Sequence, residues 1–160
     1  MRTAGVVLAA VAVAVLGAGQ LGLLAGKAPT DLGVHQGRLK APATASNSVS
    51  SQAALWAGHP MQQGAAIAPL PLRGPPAEAI ARLRTVVQAM PGAEVVTQRG
   101  DYLCVRFTTR WLGFVDDAEF WADPAAGVIQ LRSASRLGER DLGVNRARIE
   151  RIRRALGAAG

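Results

Sequence analysis

Cysteine is almost absent: Cys104 is the single thiol in a chain of 160 residues. One thiol closes no disulfide and builds no multi-cysteine zinc site, which excludes a stapled miniprotein and a zinc ribbon. Histidine is scarce, with His35 and His59 alone, and aromatic residues make up only 4%. Lysine is nearly missing as well, since 16 of the 18 basic residues are arginine. The hydrophobic share, 49%, is too high for a disordered chain. The length suits one domain. Eighteen basic residues against 11 acidic ones give +7 and a pI near 11.2, a balance that raises the question of an anionic partner.

The hydrophobicity is unevenly placed. Ala4 to Gly26 is a run of 23 residues with one polar side chain, Gln20. Met1-Arg2-Thr3 precedes it and Lys27 follows. As one helix at about 1.5 Å per residue it reaches roughly 34 Å, a bilayer's width. The alternatives are an uncleaved membrane anchor, a secretory signal cleaved near Ala18, Ala25 or Ala28, and a buried soluble helix. The run is longer than the usual apolar region of a signal, and no cysteine follows it, which argues against a lipoprotein. Both leading readings export the rest of the chain, either anchored at the membrane or secreted. Without Arg2 and Lys27, 16 basic residues face 11 acidic ones, a net +5.

Residues 28–74 are rich in Pro, Gly, Ser, Gln and Ala and show no sustained period, which predicts an irregular arm. A helix is predicted from Pro75-Pro76, with Ile80, Leu83, Val87 and Met90 on one face and Pro91-Gly92 as its stop. Strands follow at Glu94–Arg99, Tyr102–Thr109, Val115–Asp123 and Val128–Arg136. Their links are too short for crossovers, so they form a four-stranded antiparallel meander. A last helix covers Asn145 to Leu156, with Ile149, Ile152 and Leu156 inward and five arginines on the remaining faces. The expectation is an α+β chain: anchor or signal over 1–27, arm over 28–74, core over 75–160.

One polar constellation stands out. Asp116, Asp117 and Glu119 lie on the third strand, and Arg132, Ser133, Ser135 and Arg136 on the fourth. Alternation puts Asp117 and Glu119 on one face, as it does Arg132 and Arg136. If Asp123 pairs with Val128, Glu119 sits opposite Arg132 and a charge ladder follows. Asp141, Asn145, Arg146 and Arg148 add polar groups around the start of the last helix, where Asp141 or Asn145 can cap it.

The blocks Leu32-Gly-Val34, Asn47-Ser-Val-Ser-Ser51, Gly113-Phe-Val-Asp-Asp-Ala-Glu-Phe120, Arg132-Ser-Ala-Ser-Arg136 and Asp141-Leu-Gly-Val-Asn-Arg-Ala-Arg148 occur in order. Together they resemble the family catalogued as domain of unknown function 1499, over residues 31–156. The resemblance implies a bacterial or plastid protein, often exported or membrane-tethered, with no established activity; with the export reading it implies a bacterial cell envelope, the chain being either anchored in the inner membrane with a periplasmic domain or secreted to the periplasm. The family pattern has Cys-Pro and then Pro-Asn-Cys-Val-Ser-Ser. Here Ala41-Pro42 and Ser46-Asn-Ser-Val-Ser-Ser51 stand in those places. Loss of both cysteines together fits a missing disulfide, worth about 2–3 kcal/mol for so short a loop.

Each chemical reading has a plain competitor. Asp117 and Glu119 suit an acid–base pair, but neighbouring arginines favour their ionised forms and a structural ion-pair role. Asp116, Asp117 and Glu119 suit a hard cation, but Arg132 and Arg136 compete, so no metal is expected. Ser50, Ser51, Ser133 and Ser135 lack a nearby base, because both histidines fall in the arm, and no Gly-x-Ser-x-Gly elbow is present. Cys104 reads as a small buried hydrophobe. Arg110, Trp111 and Phe114 at a hairpin tip suit a membrane interface, or else the tip folds on the core. The leading expectation is a non-catalytic binding or assembly module at the membrane, attached through residues 4–26, without cofactor. It would meet anionic lipid or a membrane protein, not nucleic acid, through Arg132, Arg136, Asn145, Arg146 and Arg148. The alternative is a hydrolase using Asp117, Glu119 and Ser133.

Overall fold

A computed structural model of the chain describes residues 2–158. Met1, at the head of the apolar run, and the last two residues of the 75–160 core lie outside them. The chain starts with helix α1 (Arg2–Gln20), followed by strands β1 (Ser48–Ser50) and β2 (Leu70–Pro71). Helix α2 (Pro76–Gln88) leads into β3 (Ala93–Arg99), β4 (Tyr102–Thr108), β5 (Val115–Asp123) and β6 (Val128–Ser135), and α3 (Val144–Ala158) closes the chain. The architecture is α+β with a six-stranded antiparallel sheet, ordered β1-β6-β5-β4-β3, and β2 pairs with β6 beside β1.

The meander β3–β6 is as the alternation predicts, and the last hairpin has the expected register. Asp123 pairs with Val128 and Glu119 with Arg132. The expected strand count of four is corrected to six. The irregular arm supplies two short strands that extend the sheet past β6. Neither Ser-Val-Ser nor Leu-Pro has enough alternation to declare itself. β1 is held by its neighbour: Ser51 donates through its hydroxyl to Gln130 Oε1, and that hydroxyl accepts the Leu131 N–H at 2.8 Å.

Alternation assigns the two sheet faces different work. Ala118, Phe120, Ala122, Ile129 and Leu131 point to α2 and α3, where Ile80, Leu83, Val87, Ile149 and Ile152 complete the main core. The opposite face carries Tyr102 and Cys104 and is covered by the arm through Leu32, Val34 and Leu39.

The expectation that Ala4–Gly26 forms one helix long enough to span a membrane is corrected. α1 stops at Gln20 because Gly22, at φ +75°, caps it. Leu23 N–H returns to the Ala18 carbonyl and Gly22 N–H to the Gly19 carbonyl, the paired bonds of a Schellman motif. Hydropathy cannot register such a cap, since Gly and Leu are both apolar. Nineteen residues make about 28 Å of helix, against a hydrocarbon core of about 30 Å. Among the described residues no helix is long and apolar enough to cross a membrane.

The C-terminal end of α1 docks on the β4–β5 loop. Gln20 donates to the Arg110 and Trp111 carbonyls at 3.1 and 2.9 Å. The backbones approach so closely that a Cβ on Gly19 would stand 2.5 Å from the Leu112 carbonyl oxygen. Gly19→Ala therefore improves intrinsic helix propensity by about 1 kcal/mol while breaking the dock. The expected outcome is faster limited proteolysis between residues 20 and 30, with the thermal midpoint of the sheet domain unchanged. Unchanged cleavage would show that the glycine contact does not hold α1.

Candidate functional site

The Asp116–Glu119 segment divides its three carboxylates between the two faces. Each meets its own arginine; the three acids and Arg132 are buried, and Arg136 and Arg148 are partly so. On the helix face, Arg148 of α3 donates to Asp116 Oδ2 at 2.5 Å and lies over the Phe107 ring at 4.4 Å. On the arm face, Arg136 grips Asp117 bidentately, at 2.7 and 2.8 Å, which raises the arginine's pKa. Also on the arm face, Arg132 faces Glu119 at 3.8 Å, within ion-pair range but beyond a hydrogen bond.

Asn145 organises the helix face. It is fully buried in the first turn of α3. Its Oδ1 accepts from Ser133 Oγ at 2.5 Å and from Arg148 at 2.6 Å. Its Nδ2 donates to the Asn47 carbonyl, Ser135 Oγ and Asp141 Oδ2. Asp141, not Asn145, caps α3, since its carboxylate accepts the Gly143 and Asn145 backbone N–H groups. Burial opposes ionisation there, but those donors outweigh it and hold the Asp141 carboxyl below its ordinary range. Arg146 is spent on the Gly64 and Ala66 carbonyls, and Arg153 on those of Ala68 and Pro69. Two of the five arginines of α3 thus staple the arm to the domain, while Arg151 and Arg154 are exposed and make no side-chain hydrogen bond among the described residues.

The arm face is less saturated. Glu119 Oε1 accepts the Gly33 N–H at 2.7 Å and the Tyr102 hydroxyl at 2.9 Å. Its Oε2 is buried without a hydrogen-bond partner. Burial pushes the Glu119 carboxyl up, against the pull of these donors and of Arg132. Cys104, opposite Glu119, is pushed up to about 11 by burial and the neighbouring carboxylate, an inert structural thiol. Arg132 donates Nε–H to the Ala41 carbonyl at 2.8 Å, and burial lowers its pKa. A cleft of about 640 Å³ opens beside it, lined by Lys27, Lys40, Asp117, Arg132 and Arg136 among others.

A model of the family described as "Protein of unknown function (DUF1499)" matches residues 38–156. The chain belongs to the DUF1499 family. No curated protein and no solved structure matches it. The match takes in most of the arm as well as the sheet and α3, the elements that converge on the polar network. Ser48, in one of the missing cysteine positions, accepts the Ala43 N–H at 2.9 Å, so a hydrogen bond ties this loop in place of a staple.

The structure brings together two groups of the predicted residues: Asp116, Ser133, Ser135, Asp141, Asn145 and Arg148 on the helix face, and Asp117, Glu119, Arg132 and Arg136 on the arm face. Arg110, Trp111 and Phe114 lie apart, at the tip beside α1. Trp111 is 64% exposed, while Phe114 is half-buried. Composition and strand pattern missed Gly33, Asn47 and Tyr102, whose polar atoms complete the networks. Gly33 and Asn47 fall within the sequence blocks that carry the family resemblance. Tyr102 gave its own signal, as the single tyrosine on the same face as Glu119.

Two outcomes test this geometry. Asn145→Ala takes a buried amide away from five hydrogen-bonding partners and costs about 3 kcal/mol in urea unfolding. Arg146→Ala, on the surface of the same helix, costs about 1 kcal/mol or less. Equal costs would remove Asn145 from the centre of the network. Glu119 binds its proton more tightly folded than unfolded, so it stabilises the fold at low pH. That contribution is lost as pH rises from the ordinary value of 4.5 through the raised one. The unfolding free energy of the natural protein minus that of Glu119→Gln should fall over that window. A flat or rising difference would contradict the burial effect.

Proposed function

We propose that this DUF1499 protein is a non-catalytic binding module attached to a membrane surface, in the envelope of a bacterial cell. The observation that carries the attachment is the placement of its exposed apolar side chains. α1 exposes Val6, Val7, Leu8, Val11 and Val13, and Leu21 and Leu23 flank its Gly22 cap. The end of the sheet where α1 docks adds Trp111, Leu137, Leu142 and Val144. Leu142 is 93% exposed and sits at φ +53°, a left-handed conformation that is uncommon for a non-glycine residue. Arg110 lies over Trp111 at 5.0 Å, which sets a cation among these apolar groups. An apolar helix leaving a domain end that is itself apolar and cationic suits the boundary between headgroups and acyl chains.

The absence of catalysis rests on the chemistry of the polar groups. The Ser133 hydroxyl donates to an amide oxygen and accepts from Arg148, so no base draws its proton. Among the described residues neither histidine hydrogen-bonds a serine: His35 bridges Arg38 in the arm, and His59 accepts the Met61 N–H. Both Asp117 carboxylate oxygens are taken by the Arg136 guanidinium, which leaves neither free to act on a substrate. The hydrolase alternative therefore has a buried serine with no activating partner.

The test is flotation of the full chain, diluted from detergent, with phosphatidylcholine vesicles and with vesicles that also contain phosphatidylglycerol. Co-flotation is expected with both, stronger with the anionic lipid and weakened by salt. Brominated lipid is expected to quench the natural protein more than Trp111→Phe. Protein that stays at the bottom of both gradients would end the attachment reading. Equal quenching of the two proteins would take the Trp111 tip off the interface.

A further inference from the structure

The cleft between the arm and the β5–β6 face holds an unusual arginine. Arg132 is only 4% exposed, and its sole hydrogen bond among the described residues is the one from Nε to Ala41. Its two terminal nitrogens have no hydrogen-bond partner there, yet neither is sealed from the cleft it lines. Arg136 and Arg148, by contrast, each spend their guanidinium on carboxylates and neighbouring groups. A buried guanidinium with open donors is costly unless something completes it.

The surroundings say what would. Four cations line the cleft, Lys27, Lys40, Arg132 and Arg136, against two carboxylates, Asp31 and Asp117. Lys40 holds Asp31 at 2.5 Å and Arg136 holds Asp117, so both carboxylates are already neutralised. Lys27 supplies the excess, while Arg132 has its counter-charge only at 3.8 Å, on a carboxyl that does not line the cleft. The carboxyl behind Arg132 is Glu119, which burial biases toward its neutral form. Alanines 28, 41, 43 and 134 leave the walls open. A guanidinium edge presents paired N–H groups that match an oxyanion, and a phosphomonoester carries close to two negative charges near neutral pH.

We propose that this cleft binds a phosphate group, with Arg132 as its forked anchor and Lys27 as its second charge. The assignment rests on reading the domain as a binding module and gives that module a ligand class. The phosphate has two possible sources, a soluble phosphoester and a lipid headgroup, because Lys27 follows directly on the segment that leaves α1.

Titration calorimetry of the full chain in a neutral detergent, with inorganic phosphate and with acetate, tests the site. Saturable phosphate binding at about 1 mM or tighter is expected, with acetate at least about tenfold weaker. Lys27→Gln, an exposed change that leaves the fold alone, should weaken phosphate about three- to fivefold. Arg132→Gln should weaken it by more than about tenfold. If that variant unfolds, the Lys27→Gln result decides. No saturable phosphate binding, equal affinity for acetate, or an unchanged Lys27→Gln would each overturn the site. Flotation with phosphatidylcholine vesicles, with and without phosphatidic acid, separates the sources. Phosphate binding together with stronger flotation on phosphatidic acid assigns a headgroup, and phosphate binding alone assigns a soluble ligand. Flotation on phosphatidic acid without a phosphate titration reports surface charge, and the site falls. The membrane reading is judged separately, by flotation on phosphatidylcholine: it can fail while the site stands, or stand while the site fails.

Discussion

Three buried arginine–carboxylate pairs at one end of the β5–β6 hairpin hold this fold together. Asp116, Asp117 and Glu119 stand almost side by side in the chain, and strand alternation sends them to opposite faces. Asp116 reaches α3 through Arg148, while Asp117 and Glu119 face the arm side with Arg136 and Arg132. Each ion is expensive to bury alone, and removing one partner of such a pair typically costs about 3–5 kcal/mol. The helix layer is tied to β5 through Asp116, and the arm to the hairpin through the Gly33 N–H on Glu119 and the Ala41 carbonyl on Arg132. Arginine suits these places better than lysine, since its planar fork meets Asp117 with two bonds and serves several acceptors from one side chain. The scarcity of lysine follows the same logic: most of the basic groups near the sheet have directional bonds to make.

Much of this was legible in the sequence where a repeating pattern carried it. The alternation across Val115–Asp123 and Val128–Ser135, joined by a short turn, is enough to set Glu119 against Arg132. The spacing of Ile80, Leu83 and Val87, and of Ile149 and Ile152, marks the helix faces that fill the core. The arm was not legible, because its order comes from single contacts and not from a period. Gln52 is an example: its side chain ties Leu39 N–H and the Gly37 carbonyl, and no local pattern announces that. The same holds for the end of α1, where the conformation of Gly22 decides. On α3, an arginine-rich face reads as solvated charge, yet Arg146 and Arg153 reach back to arm carbonyls. A side chain that is free in an isolated helix becomes a fastener once a second segment lies beside it.

The candidate site was legible as a composition and not as an arrangement. The acids and arginines were all visible, but their division into a closed network and an open one depends on which segment covers each face. On the helix face Asn145 uses both amide atoms fully, and Ser133 and Ser135 complete it. Such saturation is the mark of a structural joint, since a ligand would have to displace existing bonds. On the arm face the covering layer is a loop with carbonyls and small side chains, and it leaves Arg132 and Glu119 short of partners. Burial without saturation is where an external group gains most from binding.

The missing cysteines bear on that difference. The pair implied by the family pattern would fall at Ala41 and Ser48, and Ala41 is the residue whose carbonyl holds Arg132. A covalent link there would stiffen the lip of the cleft. Here the lip depends on the Ser48 hydroxyl and on Lys40–Asp31, both weaker than a bond. The cleft also shares an end of the sheet with the exposed apolar groups: Gly26 lies against Arg136 and Leu137, and Lys27 enters the cleft from there. A phosphate held on Arg132 would therefore bring the segment after α1 toward the domain through Lys27. Ligand occupancy and the seating of α1 would then be linked, and by reciprocity a domain seated on a membrane would hold its phosphate more tightly.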